Sequence, residues 1–286
     1  MEKGWNQANA ANAQCSSIKQ LLPLIFAALS LYPVLARAED ESTGSDQEDV
    51  KQAMSRAWDI TLGGGAVAEP RYDGSKRYLL KPFPFFAIRY HDFVSASVVD
   101  GIRLNLIHTG GLHAGPVLTY SEGRSSDDDS LLANLKNIPP SFNAGGFATY
   151  QFGSFEVLAQ VDQAVLHQQN GLTGKLRLTY QEQFSFVGHR AVLETGPEVE
   201  FANREFETTW FGITAPESAR SGLREFAPSS GLMNVGVRSG LTVQQSRHVL
   251  IRAVVNVKEL TGNAGDSPLT TSKTQAFVGF GAGYKF

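Results

Sequence analysis

From Trp58 to Phe286 the chain runs in segments of about ten residues in which apolar and polar side chains alternate, with turn-forming residues between them. Side chains along a strand point to opposite faces in turn, so each segment has one apolar and one polar face. At the C-terminus Ala276, Val278, Phe280, Ala282, Tyr284 and Phe286 share one face, and Gln275, Phe277, Gly279, Gly281, Gly283 and Lys285 the other. In 172–181, Leu172, Gly174, Leu176, Leu178 and Tyr180 alternate with Thr173, Lys175, Arg177, Thr179 and Gln181. Ala191, Leu193, Val199 and Phe201 oppose Glu194, Glu198 and Glu200, and the apolar face of 249–258 opposes Arg252, Asn256 and Lys258.

The pattern predicts twelve strands: 58–67, 78–90, 93–99, 101–107, 111–121, 141–151, 154–165, 172–184, 190–202, 230–244, 247–259 and 274–286. An even number is what single-chain bacterial transmembrane barrels have. Alternate links are short (91–92, 108–110, 152–153, 185–189, 245–246), and most of the others are longer (68–77, 122–140, 166–171, 203–229, 260–273). Short periplasmic turns and long extracellular loops give that asymmetry. The tightest extracellular turn falls at Asp100-Gly101, between two short strands. If 93–107 is one strand, Trp210-Phe211-Gly212-Ile213-Thr214 has to supply another.

Alternation alone also fits a soluble sandwich, so the membrane reading needs further support. Lys175 and Arg177 on one strand face Glu194, Glu198 and Glu200 on the next, across a hairpin turning near 187–189; a barrel lumen accommodates such a set. Trp58, Tyr90, Phe93, Phe152, Phe155, Phe184, Tyr284 and Phe286 all fall at strand ends beside short turns, the placement of an aromatic girdle at a membrane–water boundary. The last strand ends in Phe286 with Tyr284 two before it, a form that resembles the signal read by outer-membrane barrel-assembly machinery. Together these features predict an all-β protein, an antiparallel transmembrane β-barrel in the outer membrane of a Gram-negative bacterium, in contact with lipid and lipopolysaccharide.

The first residues read differently. Lys3 and Lys19, the apolar run 21–35 and Ala36-Arg37-Ala38 are the three parts of a secretory signal peptide, predicted to span 1–38. Pro23 and Pro33 interrupt the run, which is short for a spanning helix; a signal anchor is the alternative. Residues 39–57 are polar and acidic and are expected to be a flexible periplasmic tail before the barrel, 58–286. The single cysteine, Cys15, lies inside the predicted signal, so the mature chain has no disulfide and no Cys-based metal site. The net charge of −3 comes with no basic stripe, which argues against nucleic acid as a partner.

Several stretches resemble a known family. They are Gly63-Gly64-Gly65, Pro70-Arg71-Tyr72-Asp73-Gly74-Ser75, Pro82 and Pro84, Gly115-Pro116 leading to Tyr120, and Phe211-Gly212-Ile213-Thr214. Ser221-Gly222-Leu223, Asp266-Ser267-Pro268 and the closing 281–286 follow. Over 58–286 the chain is similar to the MipA/OmpV family of outer-membrane proteins, departing at Trp210 and at His91-Asp92. The resemblance implies a scaffold that docks periplasmic murein enzymes, a lytic transglycosylase and a penicillin-binding protein; a narrow passive diffusion channel is the alternative.

Candidate chemistry is sparse, and no catalytic, cofactor or metal site is expected. His91, His108, His113, His189 and His248 fall at or near periplasmic turns, and His167 in a loop with no Ser or Asp beside it, so all six read as surface or turn histidines rather than as a hydrolase site. Asp127-Asp128-Asp129 lacks the spacing of a calcium loop and reads as a solvated acidic loop. Gly63-Gly64-Gly65 is followed by no Lys and no helix start, so it bends a strand rather than cradling phosphate. The inward charges either line a pore or fill the lumen as pairs; the strand number does not decide between them.

Overall fold

The computed structural model describes residues 58–167 and 170–286; the expected signal peptide and acidic tail lie outside them. Thirteen strands form one antiparallel sheet: β1 Trp58–Pro70, β2 Tyr78–Tyr90, β3 Val94–Ser97, β4 Gly101–Leu104, β5 Ile107–Thr109, β6 Leu112–Ser121, β7 Ser141–Phe152, β8 Phe155–Ala164, β9 Leu172–Phe186, β10 His189–Ala202, β11 Gly231–Gln244, β12 Val249–Leu260 and β13 Thr274–Lys285. Apart from β4 and β5, which do not pair with each other, each strand pairs with its neighbour in sequence; β13 returns to β1, and β4 pairs with β6 to close the ring. β4 and β5 occupy one position in the wall. Both lie along β6, with Arg103 opposite Val117 and Ile107 opposite Ala114, and the chain breaks register between them. The barrel therefore has twelve staves, and the fallback strand at 210–214 is not needed. That stretch instead ends a helix and makes a single bridge, Ile213 to Phe226.

Closure of the sheet joins its first and last strands. The β1–β13 ladder runs from Thr61↔Lys285 to Ala68↔Val278, and the amide of Phe286 donates to the carbonyl of Ile60 at 2.9 Å. On the lumen side of this seam Gly63 faces Gly283 and Gly65 faces Gly281. A Cβ on Gly63 would lie 2.0 Å from the carbonyl oxygen of Ala282, so the triple glycine permits close strand approach as well as curvature.

The outward faces carry the large apolar side chains. Leu80, Phe280, Val237, Val161 and Leu176 are among the most exposed apolar residues, scattered around the wall rather than gathered in one patch. A wall that is apolar outward and charged inward is the inverse of a soluble barrel. The turns at one end are tight: Gly110-Gly111, Gly153 and Val187-Gly188 all take positive φ, as two-residue hairpin turns demand. The β9–β10 link is thus shorter than the expected 185–189, because both strands extend toward it.

At the other end the links are folded rather than loose. Region 203–230 contains α1 (Arg204–Phe211) and α2 (Ala215–Ser221), and 261–273 contains α3 (Gly262–Asp266). These segments share two apolar cores. Tyr72, Leu132, Leu135, Ile213 and Leu269 form one, drawn from four different links. Ala202, Phe211, Met233, Leu260 and Ala264 form the other, with Phe206 and Trp210 against it. The links make a cap.

The break between β4 and β5 depends on Gly115 of β6, where a Cβ would lie 1.8 Å from the carbonyl oxygen of Leu104. Gly115→Val should force the closing seam apart and destabilise the barrel by about 3 kcal/mol. A lower urea midpoint for refolding into detergent micelles would show it; an unchanged midpoint would mean that the seam does not limit stability.

Candidate functional site

The barrel encloses a cavity of about 960 Å³. It runs from Asp59 and Lys285 near the short turns to Tyr72, Asp73 and Trp210 beneath the cap. One wall is aromatic, with Phe83, Phe85 and Phe277, and the facing wall is charged.

Lys175, Arg177, Glu194, Glu198 and Glu200 all sit on this charged wall. Register brings them together. Arg177 is directly opposite Glu198 in the β9–β10 ladder and Lys175 opposite Glu200. The Arg177 Nε donates to Glu198 at 2.6 Å, and Lys175 Nζ lies 3.0 Å from Glu200. Glu194 has no basic partner on β9. It reaches past β11 to Arg252 of β12, at 2.7 Å. Gly240 stands between them, and a Cβ there would lie 3.5 Å from the Glu194 carboxylate and 3.4 Å from the Arg252 guanidinium. The missing side chain on β11 is what lets the two charges meet.

Strand alternation already places Lys258 and Lys285 on polar faces; the structure adds their partners and brings Asp100, Arg103 and Arg238 to the same wall. Lys258 of β12 pairs with Asp73 of the first cap link at 3.1 Å, and Lys285 with Asp59 at 2.6 Å. Arg103 and Asp100 enter from β4 and the turn before it, with Arg103 Nη2 donating to Gln160 at 2.7 Å. Arg238 of β11 makes no hydrogen bond or ion pair among the described residues and lines the same small pocket as Asp100, Arg177 and Glu198. The polar face of 230–244 is sparse, with Arg238 its one charge, and only its place opposite Asn256 and beside Gly196 identifies it as lumenal.

The aromatic residues at the short-turn end form contacts along the rim. Trp58 and Tyr90 are 4.6 Å apart between ring centroids, Phe152 stacks on Phe155 at 5.8 Å, and Tyr284 meets Phe286 at 5.0 Å. Phe93 and Phe184 are exposed. Tyr180 extends the Phe155 contact, and His248 stacks on Tyr284 at 5.4 Å, so one of the turn histidines joins the rim. The Asp127-Asp128-Asp129 run is structural in two of its members. Asp128 accepts from the Ser125 amide, and Asp129, buried, pairs with Arg77. Among the described residues no group of acidic, His and Cys side chains is arranged to hold a metal.

The cap holds its own polar interior. Asn203 caps α1, its side-chain oxygen accepting from the amides of Phe206 at 2.9 Å and Leu172 at 3.0 Å. The Asn203 cap and the acidic first turn, Glu205 and Glu207, are a helix-start signal that strand periodicity concealed. The Tyr72 hydroxyl donates to the Leu269 carbonyl at 3.0 Å and Ser267 Oγ to the Phe211 carbonyl at 2.7 Å. Arg124 donates to the Trp210 carbonyl, and burial lowers its pKa to about 10. Glu207 is wholly buried, with neither carboxylate oxygen partnered, and burial alone lifts its pKa to about 7.

A closed antiparallel barrel with an apolar exterior, a charged interior, tight turns at one end and folded links at the other is an outer-membrane β-barrel. A family model described as "MltA-interacting protein MipA" matches residues 62–286. The chain belongs to that family. Among solved structures it is similar to Neisserial surface protein A at 7% identity and a TM-score of 0.27, over 80% of this chain and 97% of that one. It is also similar to Ail, the attachment invasion locus protein of Yersinia pestis, at 12% identity and a TM-score of 0.22, over 80% and 97%. No curated protein sequence matches the chain significantly. The barrel class rests on the closed strand pairing and the family match.

The buried Glu207 carboxyl sets a pH dependence. Its folded pKa is raised above the ordinary carboxyl value, so the folded cap holds a proton that the unfolded chain releases. This contribution to stability is complete below about pH 4 and is lost as pH rises through the window between about 4.5 and 7, by on the order of 3 kcal/mol. Thermal unfolding in detergent from pH 4 to 8 should show this slope, and Glu207→Gln should flatten it. An identical slope in the variant would assign the effect to other groups.

Proposed function

We propose that the protein is a non-enzymatic outer-membrane scaffold whose periplasmic face docks a murein-processing enzyme, a lytic transglycosylase and with it a penicillin-binding protein. The family's description as MltA-interacting supports a partner of this kind. The observation that carries the reading is the β9–β10 hairpin. β8 pairs with β9 only as far as Tyr180, so 182–186 extend beyond β8 toward the short-turn side. The tip presents Phe186 at 48% and Val187 at 81% exposure, the latter with a φ of 50°. A β-branched residue in that conformation is strained, and Asn or Gly would serve the turn better. An exposed, strained apolar tip on the periplasmic side is a docking feature rather than a folding one.

The rim aromatics Trp58, Tyr90, Phe93, Phe152, Phe155, Phe184, Tyr284 and Phe286 mark the inner membrane boundary in this reading, and the strand ending at Phe286 is what the barrel-assembly machinery reads. The acidic tail 39–57 offers a second contact. Crosslinked capture from cells, with the captured proteins identified by mass spectrometry, tests the proposal. Murein hydrolases or synthases should be enriched over an unrelated barrel, and Val187→Asn should reduce their capture while raising barrel stability by about 1 kcal/mol. Deletion of 40–56 separates the tail from the turns. Capture that survives both changes at full strength would remove the scaffold.

A narrow diffusion channel is the second reading, favoured by a cavity that runs most of the barrel's length. The packed cap opposes it. Planar-bilayer recording should find no steady conductance while the cap is closed. If steady conductance appears and its ion preference shifts when Lys175 and Arg177 are neutralised, the channel reading replaces the scaffold.

A further inference from the structure

The wall of the barrel has a gap. β2 runs from Tyr78 to Tyr90, yet β3 pairs with it only through Ala87, Ile88, Arg89 and Tyr90. β3 and β4 turn back at 98–100, near mid-wall, and β6 ends at Ser121. Along 78–86, β2 is therefore paired with β1 on one side and with no strand on the other, among the described residues. The sequence is adapted to that free edge. Because Phe286 N donates to Ile60 O, the even residues of β1 bond toward β13 and its odd residues toward β2. Even residues of β2 then direct their amides away from β1, into the gap. Two of those positions are Pro82 and Pro84, which have no amide proton to leave unsatisfied.

The gap has a defined frame. Above it, Arg77 pairs with Asp129 of the cap. Across it, Lys81 Nζ lies 2.7 Å from Glu122 after β6, and 2.7 Å from Glu69 of β1. Outside it stand Tyr78, Leu80 and Tyr120, with Leu80 76% exposed, at the loop end of the wall. Immediately inside are Phe83 and Phe85, and below them the turn at Asp100 with Arg103. A smaller pocket of about 140 Å³ at that turn is lined by five cationic side chains against three carboxylates. Two of the cations are incompletely matched: Arg238 makes no bond, and Arg103 has a buried Nε without a partner.

We propose that this gap is a lateral entrance from the outer leaflet for a single-chain amphiphile with an anionic head group. Its tail lies along Phe83 and Phe85, and its head is held by Arg103 and Arg238. The occupant follows from the surroundings. A free strand edge facing hydrocarbon is costly unless something covers it, and an acyl chain does so without requiring hydrogen bonds. An aromatic wall beside surplus guanidinium groups matches a molecule that is apolar along its length and anionic at one end. A two-chain lipid exceeds what one side of the cavity offers, and a hydrophilic anion has no reason to approach from the membrane. The inference does not depend on the periplasmic scaffold, since it concerns the opposite half of the barrel.

The test uses the full-length processed protein in phosphatidylcholine nanodiscs, with a spin-labelled stearate as probe. An immobilised spectral component is expected beyond that of empty nanodiscs and of an unrelated barrel. Palmitate and lysophosphatidate should displace it, and whichever is stronger identifies carboxylate or phosphate as the preferred head. Uncharged hexadecanol should compete at least tenfold more weakly, the factor a charge-assisted hydrogen bond supplies. Arg238→Gln should weaken the probe about tenfold and bring palmitate and hexadecanol closer together. A Lys81→Cys, Glu122→Cys pair joined by a bifunctional thiol reagent should slow uptake, since the mature chain would carry no other cysteine. Absence of an immobilised component, equal competition by hexadecanol, or uptake indifferent to the crosslink would each overturn the proposal. The alcohol comparison on the unmodified protein decides the head-group claim even if Arg238→Gln fails to fold.

Discussion

A wall surrounded by hydrocarbon must satisfy its backbone hydrogen bonds within itself, because lipid tails offer none. That constraint shapes this molecule more than any side-chain contact. It forces β13 back onto β1 and makes the chain's last residue a hydrogen-bonding member of the wall. It also explains why the least regular part of the ring is so rich in special residues. Between β2 and β6 the chain must close a ring with two four-residue strands and one of three, and it does so where Gly101 and Gly115 let backbones approach. Where no strand is available, Pro82 and Pro84 remove two of the donors that would otherwise face hydrocarbon.

The interior obeys a second constraint. Charges in a lumen are partly withdrawn from water, so an unmatched one is costly and a matched pair must have good geometry. Strand register supplies that geometry for Arg177 with Glu198 and for Lys175 with Glu200, which are direct cross-strand neighbours. The Glu194–Arg252 bridge instead spans an intervening strand and requires a glycine beneath it. These pairs tie β9, β10 and β12 together along one side of the lumen. Arg238 stands apart as a cation retained without a direct partner, which folding alone does not explain.

The strands were legible because their cause is local. Alternation with a period of two is written into each segment, and the observed strands fall within a few residues of those expected, β2 at its full range Tyr78–Tyr90. The break at 105–106 was not legible, since it follows from ring closure against β6. Pairing of Lys175 and Arg177 with the glutamates of β10 could be anticipated from their facing positions, whereas Arg252, the partner of Glu194, lies 58 residues further along the chain on a strand that is not adjacent. The cap was hidden for a different reason. Its helices are short, and its cores draw single residues such as Tyr72, Leu132, Ile213 and Leu269 from separate links, so no one segment carries a periodic signal. The Asn203 cap was the readable clue to α1.

The stretches by which the chain resembles its family bear on function through their location. Tyr72 bonds to Leu269, Ser267 to Phe211, and Ile213 packs with both Tyr72 and Leu269. Leu223 packs on the same core. Much of the recognisable sequence is therefore spent on packing the loop end of the barrel. An open pore needs no such closure, and a bare membrane anchor needs no cavity beneath it. A barrel that is sealed above, charged within and interrupted at one side is suited to traffic that does not cross it end to end. On the two proposals made above, its contacts are with the periplasm below, through the hairpin tip at Val187, and with the outer leaflet beside it, through the edge that Pro82 and Pro84 leave free.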